Sequence, residues 1–384
     1  MTRLFTIIIP TVNREKEFKS ALNTVLAEKY AALEIIVKAN GVSWNIQKYI
    51  ADLNDGRIVL RRHLKQVSMA ENWSDGIDQA QGEFIFVLGD DDGWYAGSLQ
   101  IINNLLSSNE GVNVITWRRD DFGWPDAVAC IRNRLHLSYE KTFNLIESRV
   151  LLRKIFSDEL SHEYLPKIYS SFIRKTVIQK FKDTYGSYFV DPSNPDMSTG
   201  VQVLAHEARI LRSELPFSVI GTSGTSNGAS SALLGHGITQ NDVSPEHEFL
   251  PIWGMGAGPE LAILNCFARA KRIMALNSVS LKYSTRIIRY ILDLPPTSRV
   301  AALKFFLSES RLNVFTDVEK EKLLEIKSKN FEIPQPVTME GTIENLITKG
   351  EKGAFGARIY TPSIGVDSIE RAVNFSLLLR SLRA

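Results

Sequence analysis

This chain of 384 residues has few cysteines, a small net charge and no long apolar run. Two cysteines, Cys130 and Cys266, are too few for a disulfide framework or a cysteine-rich zinc site, and we expect both to be reduced and buried. The 45 basic and 43 acidic residues leave a net charge of +2, which gives no reason to expect nucleic-acid binding. No run reaches about 18 consecutive apolar residues, and the N-terminal run ends early, at Pro10. We therefore expect neither a membrane span nor a signal peptide, and predict a cytoplasmic protein.

What is present is a globular composition, with 44% apolar and 23% charged residues. The first 120 residues alternate between continuous apolar runs, typical of strands buried on both faces, and apolar residues at helical spacing, such as Phe18, Leu22 and Val25. Strands are predicted at 4–9, 33–37, 57–61, 83–88 and 112–117, with a helix after each of the first four. This alternation predicts an α/β fold with a mostly parallel sheet and helices on both faces. Right-handed crossovers would gather the loops after the strands at one edge.

The pattern is less regular after residue 120 and largely helical after residue 258. Further helices are predicted near 146–155, 177–181, 201–208, 259–277, 281–293, 298–308, 317–329 and 367–383, and strands at 168–173 and 217–220. Residues 264–384 carry 19 basic and 12 acidic side chains, a net charge of +7, against −5 for the rest of the chain. This charge fits a solvated helical surface, docking on an anionic membrane, or contact with another subunit through the apolar face of Ile369, Val373 and Leu377.

Three consecutive carboxylates, Asp90, Asp91 and Asp92, follow the predicted strand 83–88. Adjacent carboxylates repel one another and are costly to bury without a counter-charge. At the carboxyl end of a central parallel strand they face the crevice in which open α/β sheets bind ligands. Mg²⁺ or Mn²⁺ relieves the repulsion and can bridge to a diphosphate. The alternative interpretation is a solvated acidic turn that caps the next helix.

Polar residues also follow the other strands at this edge. They are Thr11, Asn13 and Arg14 after the first strand, Asn40 and Gly41 after the second, and Asn72 near the start of the third helix. Each is a common turn or cap residue, and Asn13 is placed to cap the first helix. Because they fall at successive strand ends, a shared ligand cleft explains them better.

Four segments carry most of these residues: FTIIIPTVNR (5–14), LEIIV (33–37), MAENW (69–73) and QGEFIFVLGDDD (81–92). In order and spacing they resemble the family-2 glycosyltransferases, which have the nucleotide-sugar-binding GT-A fold. The resemblance is good over 4–117 and weak over 140–235, and we find none beyond about residue 250. It implies a nucleotide-sugar-binding half at 1–120, an acceptor-binding half at 121–250 and a helical C-terminal region at 251–384.

The resemblance also implies an activity. The protein would be a metal-dependent, inverting transferase that moves a sugar from a nucleotide diphosphate sugar, with UDP favoured, to a hydroxyl of a glycan or lipid-linked acceptor in surface-polysaccharide synthesis. Such an enzyme would be cytoplasmic or peripheral at the inner face of the membrane. The alternatives are a nucleotide- or glycan-binding module of the same fold without turnover, and a nucleotidyltransferase. The segment after the first strand lacks the glycines of a nucleotidyltransferase phosphate loop and of a dinucleotide-binding loop.

The resemblance assigns roles to individual residues. Those that would bind the nucleotide sugar are Pro10, Thr11, Asn13, Arg14, Asn40, Gly41, Asn72, Asp90 and Asp91. Asp90 and Asp92 would be the ends of an Asp-x-Asp motif that holds Mn²⁺ or Mg²⁺ on the diphosphate. Two positions depart from the family pattern. Ala39 stands where an aspartate usually reads the uracil ring, which leaves the base open with Asn40 as a substitute, and Glu71 stands where an arginine often precedes the helix asparagine.

An inverting transferase of this family also needs a general base for the acceptor hydroxyl. Asp196 is the candidate, because it follows a proline-containing loop and starts a predicted helix in the second half of the fold; it also suits a plain helix cap. The rival carboxylates are Asp191, Asp183 and Glu163. His236 is either a further metal ligand or a plain surface-loop histidine. The loop 221–228 would either close over the donor, touch the acceptor or be a plain surface loop.

Overall fold

The computed structural model describes residues 2–127, 131–226, 259–282, 347–349 and 355–381, with the isolated positions 291, 317, 320, 321 and 324. Cys130, His236 and most of the helices predicted between residues 281 and 329 lie outside these residues. The strands of the described residues are β1 (Phe5–Thr11), β2 (Leu33–Asn40), β3 (Ile58–His63), β4 (Phe84–Val87), β5 (Gly93–Trp94), β6 (Val114–Trp117), β7 (Asp120–Gly123), β8 (Arg134–Ser138), β9 (Phe143–Glu147), β10 (Ser171–Arg174), β11 (Arg209–Ser213), β12 (Ser218–Thr222), β13 (Ile347–Lys349) and β14 (Phe355–Tyr360). The α-helices are α1 (Glu15–Leu26), α2 (Ile46–Leu53), α3 (Met69–Gln79), α4 (Ser98–Ser108), α5 (Ser148–Phe156), α6 (Lys175–Tyr185), α7 (Pro195–His206), α8 (Pro259–Ile273) and α9 (Ile369–Ser381).

The main sheet confirms the predicted α/β class. Its order is β3-β2-β1-β4-β10-β6-β11-β9, and β1 runs parallel to both β2 and β4. The predicted strand 168–173 corresponds to β10, which lies antiparallel between β4 and β6. The carboxyl ends of β1, β2 and β4 therefore meet at one edge, as the crossover rule requires.

The continuous apolar runs are buried on both faces of this sheet. Ile7 and Ile9 of β1 pack in one core cluster with Phe18 and Leu22 of α1. Ile8 points the other way, into the cluster that holds α3, α5 and α7 residues. Alternate side chains of one strand thus enter two cores, which is the reason that the run contains no polar residue between 7 and 9.

A second sheet, which the sequence patterns did not predict, has the order β13-β14-β8-β7-β12-β5. Its strand β5 is only two residues long and comes directly after Asp92. Strand β12 pairs with β5 on one side and with β7 on the other. This small sheet therefore places the loop after β12 beside the three aspartates.

The N-terminus of α1 differs from the prediction that Asn13 caps it. The cap position is Arg14, whose side chain makes no capping hydrogen bond within the described part of the chain. Asn13 has a left-handed backbone (φ 49°), and its Oδ1 accepts hydrogen bonds from the backbone N–H and the hydroxyl of Ser43, at 2.6 and 2.9 Å. Asparagine tolerates this backbone conformation better than most residues. The two hydrogen bonds from Ser43 link the loop after β1 to the loop after β2.

The last described helix, α9, packs within the chain. Ile369 and Val373 are buried in a cluster with residues of β7, β8 and β12. Arg380 pairs with the buried Asp120 and donates a hydrogen bond of 2.9 Å to the carbonyl of Ser138. The apolar face expected to dock elsewhere is thus covered inside the chain, while membrane and subunit contacts stay predictions. Among the described helices, none is long and apolar enough to cross a membrane.

Glu28 is a buried glutamate, 1% exposed, that holds the segment after the aspartates by hydrogen bonds. Its Oε2 accepts hydrogen bonds from the Trp94 indole and from the backbone N–H groups of Gly97 and Leu99, at 3.1, 2.9 and 3.3 Å. Its Oε1 accepts from the backbone N–H of Tyr30. The glutamate therefore replaces the side-chain cap that α4 lacks at Gly97.

Glu28→Ala is expected to lower the free energy of unfolding by about 3 kcal/mol or more, because it leaves several buried donors without an acceptor. Urea unfolding followed by circular dichroism measures this change. The matched control is Glu15→Ala, since Glu15 makes only a half-exposed helical pair with Lys19. A loss at Glu28 no larger than at Glu15 would contradict the capping role.

Candidate active site

The three aspartates form a buried turn at the carboxyl end of β4. Asp90, Asp91 and Asp92 are 1%, 6% and 8% exposed, and the N–H of Asp92 donates a hydrogen bond to the carbonyl of Gly89 at 3.1 Å. The solvated acidic turn considered from the sequence is therefore wrong. Three buried carboxylates in a row require compensation from elsewhere in the fold.

Arg14 supplies part of that compensation. Its Nη2 lies 2.5 Å from Asp90 Oδ1 and its Nη1 lies 3.1 Å from Asp91 Oδ2. Burial lowers the pKa of Arg14, but the three aspartates outweigh this effect and the pKa is raised. Arg14 is thus a permanent cation at this edge. Among the described residues it is the one side chain that makes ion pairs with the cluster.

Asp91 and Asp92 bind the loop after β12. Asp92 Oδ1 accepts a hydrogen bond from the N–H of Gly221 at 2.7 Å, and Oδ2 accepts one from Gly89 at 3.2 Å. Asp91 Oδ2 accepts hydrogen bonds from the hydroxyl and the N–H of Ser223, at 2.8 and 3.3 Å. The described part of the predicted loop 221–228 therefore joins the aspartates from 130 residues away in sequence.

The pKa values of Asp90 and Asp92 are both raised. Burial is the main cause for each, and the neighbouring Asp91 adds to it. Arg14, the Thr11 hydroxyl and the N–H of Val12 oppose the rise at Asp90. The site therefore attracts a further positive charge or a proton.

The other residues predicted to bind the nucleotide lie at the same edge of the sheet, but they differ in their contacts and burial. The side chain of Asn40 donates to the carbonyl of Val67 and accepts from its N–H, at 2.9 and 2.8 Å, so its amide is engaged inside the protein. Gly41 has φ 65°, and a β-carbon there would lie 2.8 Å from the backbone nitrogen of Gln66. Asn72 is 2% exposed, and its Oδ1 has no hydrogen-bond partner among the described residues. Pro10 and Thr11 are the last two residues of β1, and their roles stay predictions.

Asp196 lies near the positive end of α7, after Asn194 at the cap and Pro195. Burial raises its pKa, and Lys167, the N–H of Met197 and Arg119 oppose the rise. A carboxylate with a raised pKa near a helix N-terminus is suited to accept a proton. Its role as the base stays a prediction.

The rival carboxylates are engaged differently. Asp191 is fully buried and accepts hydrogen bonds from the N–H and hydroxyl of Ser193, at 3.2 and 2.6 Å. Asp183 is exposed on α6 and accepts from Gln179 at 3.0 Å. Burial acts to raise the pKa of Glu163, but Lys167, His162 and Arg119 outweigh it, and the pKa is lowered. A carboxylate with a lowered pKa is a poor proton acceptor, which argues against Glu163. The choice between Asp196 and Asp191 stays a prediction.

Arg119 and Lys167 are the residues of this region that the sequence patterns missed. Burial raises the pKa of both Asp92 and Asp196, and the positive charge of Arg119 opposes this rise at each of them. The charge of Arg119 therefore acts on a candidate metal ligand and on the candidate base. It follows the end of β6 at the same edge, and the rule that flagged Arg14 and Asn40 would also have flagged it. Nothing in the pattern around Lys167, in the stretch before β10, indicates a site.

The aspartates fit a hard divalent cation in chemistry, because carboxylate oxygens are the ligands that Mg²⁺ and Mn²⁺ prefer. Among the described residues, no group of three acidic, histidine or cysteine side chains converges as a ready-made metal cage. Asp91 and Asp92 already accept hydrogen bonds from the loop after β12. The arrangement suits a cation held by one or two carboxylates together with phosphate oxygens.

Comparisons with known proteins bear on the same stretch. Residues 6–156 match the model of Glycosyl transferase family 2. The chain is 33% identical over 109 residues to the GalNAc(5)-diNAcBac-PP-undecaprenol beta-1,3-glucosyltransferase of Campylobacter jejuni, covering 27% of this chain and 34% of that protein. It is 30% identical over 107 residues to the UDP-Glc:alpha-D-GlcNAc-diphosphoundecaprenol beta-1,3-glucosyltransferase WfgD of Escherichia coli, covering 28% of this chain and 42% of that protein. The chain thus matches less than half the length of these curated relatives.

Among solved structures, S. aureus TarS 1–349 in complex with UDP-GlcNAc is similar, with a TM-score of 0.47 and 13% identity. The similarity covers 84% of this chain and 92% of that one. Residues 6–156, which contain nearly all of β1, all of β2 to β9 and the three aspartates, are thus similar to the family-2 glycosyltransferases. The resemblance drawn from the four sequence segments is confirmed.

Proposed function

We propose that the protein transfers a sugar, with inversion, from a nucleotide diphosphate sugar to a hydroxyl of a glycan or lipid-linked acceptor in surface-polysaccharide synthesis. The observation that carries this proposal is the buried Asp90–Asp92 turn with Arg14, at the carboxyl end of a parallel strand in a family-2 segment. The two curated relatives, whose names specify diphosphoundecaprenol-linked substrates, support a lipid-linked acceptor. A site for such acceptors would lie near the inner face of the membrane.

The reaction is an in-line exchange at the anomeric carbon. The bond from this carbon to the diphosphate oxygen breaks, and the electron pair stays on the diphosphate. The acceptor oxygen forms the new bond, and its proton passes to Asp196. Asp90, assisted by Asp92, would hold a divalent cation, which supplies charge neutralisation at the diphosphate when bound. Arg14 adds a fixed positive charge at the same edge.

Turnover of a panel of nucleotide sugars with Mn²⁺ and an acceptor extract tests this function. We expect release of nucleoside diphosphate and a product with inverted anomeric configuration by NMR. Nucleotide binding without release or transfer would instead indicate a binding module. Formation of a nucleotide sugar from a nucleoside triphosphate and a sugar phosphate would indicate a nucleotidyltransferase.

Asp196→Asn is expected to lower kcat by roughly 10²-fold or more, because the variant cannot accept the acceptor proton. Stability should change by less than about 1 kcal/mol, since asparagine is also a good residue at a helix start. The base works only when deprotonated, so kcat of the natural enzyme should rise with pH through the raised pKa of Asp196. Measuring kcat of both proteins across pH tests the rate loss and the pH dependence, and urea unfolding tests the stability.

Asp183→Asn is the matched control, because Asp183 is an exposed helical carboxylate with a single side-chain partner. It should keep near-normal kcat. Near-normal transfer by Asp196→Asn would move the base to another carboxylate. An equal loss of donor affinity and rate would mark Asp196 as part of the donor pocket instead.

A further inference from the structure

Arg119 lies where the chain crosses from the main sheet into the second sheet. It follows β6 and directly precedes Asp120 of β7, which is paired with Val219 of β12. Two residues further along β12, the N–H of Gly221 binds the carboxylate of Asp92. Arg119 is therefore held close to the aspartate turn by the pairing of two strands, while its side chain is only 8% exposed.

The guanidinium of Arg119 is held on two sides. Its Nη2 donates a hydrogen bond to Glu163 Oε2 at 2.9 Å, and its Cζ lies 4.4 Å from the centre of the Tyr169 ring. Lys167 Nζ lies 3.3 Å from both Glu163 Oε1 and the Tyr169 hydroxyl. Two buried cations thus share one carboxylate. These contacts fix the direction of the guanidinium. Burial acts to lower the pKa of Arg119, but Tyr169, Glu163, Asp92 and Asp121 outweigh it and the pKa is raised, so Arg119 stays a cation.

The other terminal nitrogen, Nη1, is buried and has no hydrogen-bond partner among the residues that the structure describes. The two aspartates on which Arg119 acts are already engaged. Asp92 accepts hydrogen bonds from Gly221 and Gly89, and Asp196 is stabilised by the N–H of Met197 at the start of α7. A buried donor without an acceptor is costly, so an anionic oxygen from a ligand would complete the guanidinium's contacts.

We propose that Arg119 Nη1 binds a non-bridging oxygen of the terminal phosphate of the leaving nucleoside diphosphate. This proposal rests on the function proposed above. Negative charge grows on this phosphate as its bond to the sugar breaks, and a donor already oriented toward it stabilises that charge. Arginine suits the role because its planar group matches phosphate oxygens. Arg119 is then a substrate-contacting residue.

Binding of UDP and of UMP, measured by calorimetry in Mn²⁺ buffer, tests the contact without needing the acceptor or the sugar. Arg119→Gln should weaken UDP binding roughly 10- to 100-fold, as expected for one charge-assisted hydrogen bond. UMP lacks the terminal phosphate, so its affinity should change less than about twofold. Arg119→Lys keeps the charge without the planar group and should give an intermediate loss for UDP.

The matched control is Arg174→Gln. Arg174 also stacks on an aromatic ring, 4.7 Å from the centre of Phe84, and also pairs with a glutamate, Glu83. It lies at the opposite end of β4 from the aspartates, so its removal should leave UDP binding unchanged.

Unchanged UDP affinity in Arg119→Gln would overturn the proposal, and so would equal losses for UDP and UMP. If Arg119→Gln does not fold, Arg119→Lys decides: weaker UDP with normal UMP supports the contact, and unchanged UDP overturns it. If the natural protein binds neither nucleotide, the same comparison is made with GDP and GMP and with dTDP and dTMP, and binding of none of these nucleotides overturns the proposed function together with this inference. Normal UDP binding in every variant overturns the inference alone.

Discussion

Asp90→Asn is expected to reduce sugar transfer by about 10³-fold, equivalent to about 4 kcal/mol of transition-state stabilisation. Asp90 is the most deeply buried of the three aspartates, and its side chain contacts the cation Arg14 rather than the loop after β12. The change should also abolish the Mn²⁺ dependence of nucleotide binding. The fold should survive, because asparagine has the same shape and removes a buried charge whose burial is costly.

Turnover and UDP affinity, each with Mn²⁺ and with EDTA, measure this effect. The control Asp55→Asn removes a carboxylate paired with Arg57, at 2.7 Å, just before β3 and away from the site. It should leave turnover unchanged. Asp92→Asn should differ from both, because the new amide places a donor against the N–H of Gly221 or Gly89 and so also lowers stability. Wild-type turnover by Asp90→Asn in EDTA would refute the metal assignment.

Gly221→Ala is expected to damage stability and activity together. A β-carbon on Gly221 would lie 1.7 Å from the carbonyl oxygen of Asp91 and 2.8 Å from the indole nitrogen of Trp124. That carbonyl already accepts a hydrogen bond from the Trp124 indole at 3.0 Å, so it cannot move without breaking the bond. The two backbones must separate, at a cost of roughly 4 kcal/mol or more.

Chemical unfolding and turnover of the same preparation measure the two losses. Gly56→Ala is the matched control, because a β-carbon there would meet no atom within 4 Å. Its stability should change by less than about 0.5 kcal/mol. If Gly221→Ala is as stable and active as Gly56→Ala, the close approach of β12 to the aspartate turn is wrong.

The first four strands and their helices were predictable because a buried strand or helix face requires apolar residues at a regular spacing within a short segment. The run around Ile8 is apolar at every position since alternate side chains enter different cores. The strand that contains Phe172 was also predicted, but not its antiparallel direction, since direction depends on the partners β4 and β6. Strand β5 is two residues long and carries no periodicity at all.

The aspartate turn was the strongest signal because its three members are neighbours in sequence. Their partners are not: Gly221 and Ser223 are more than 100 residues away, and Glu28 fixes the segment after Asp92 from the other direction. The pattern also misled at Asn13, whose residue type suits a cap but whose side chain binds Ser43 across the loop. Residue type limits what a side chain can do, and the neighbouring loop decides which option it takes.

By itself, the sequence determined the α/β class, the edge that carries the polar loops, the aspartate turn and the resemblance to the family-2 glycosyltransferases. These follow from local patterns, since apolar periodicity and adjacent charges are properties of short segments. Only the tertiary structure decided that Arg14 balances Asp90, that the loop after β12 holds Asp92, and that the charge of Arg119 acts on both Asp92 and Asp196. These contacts arise from strand pairing across the whole chain, and side chains separated by 100 residues leave no pattern in the residues between them.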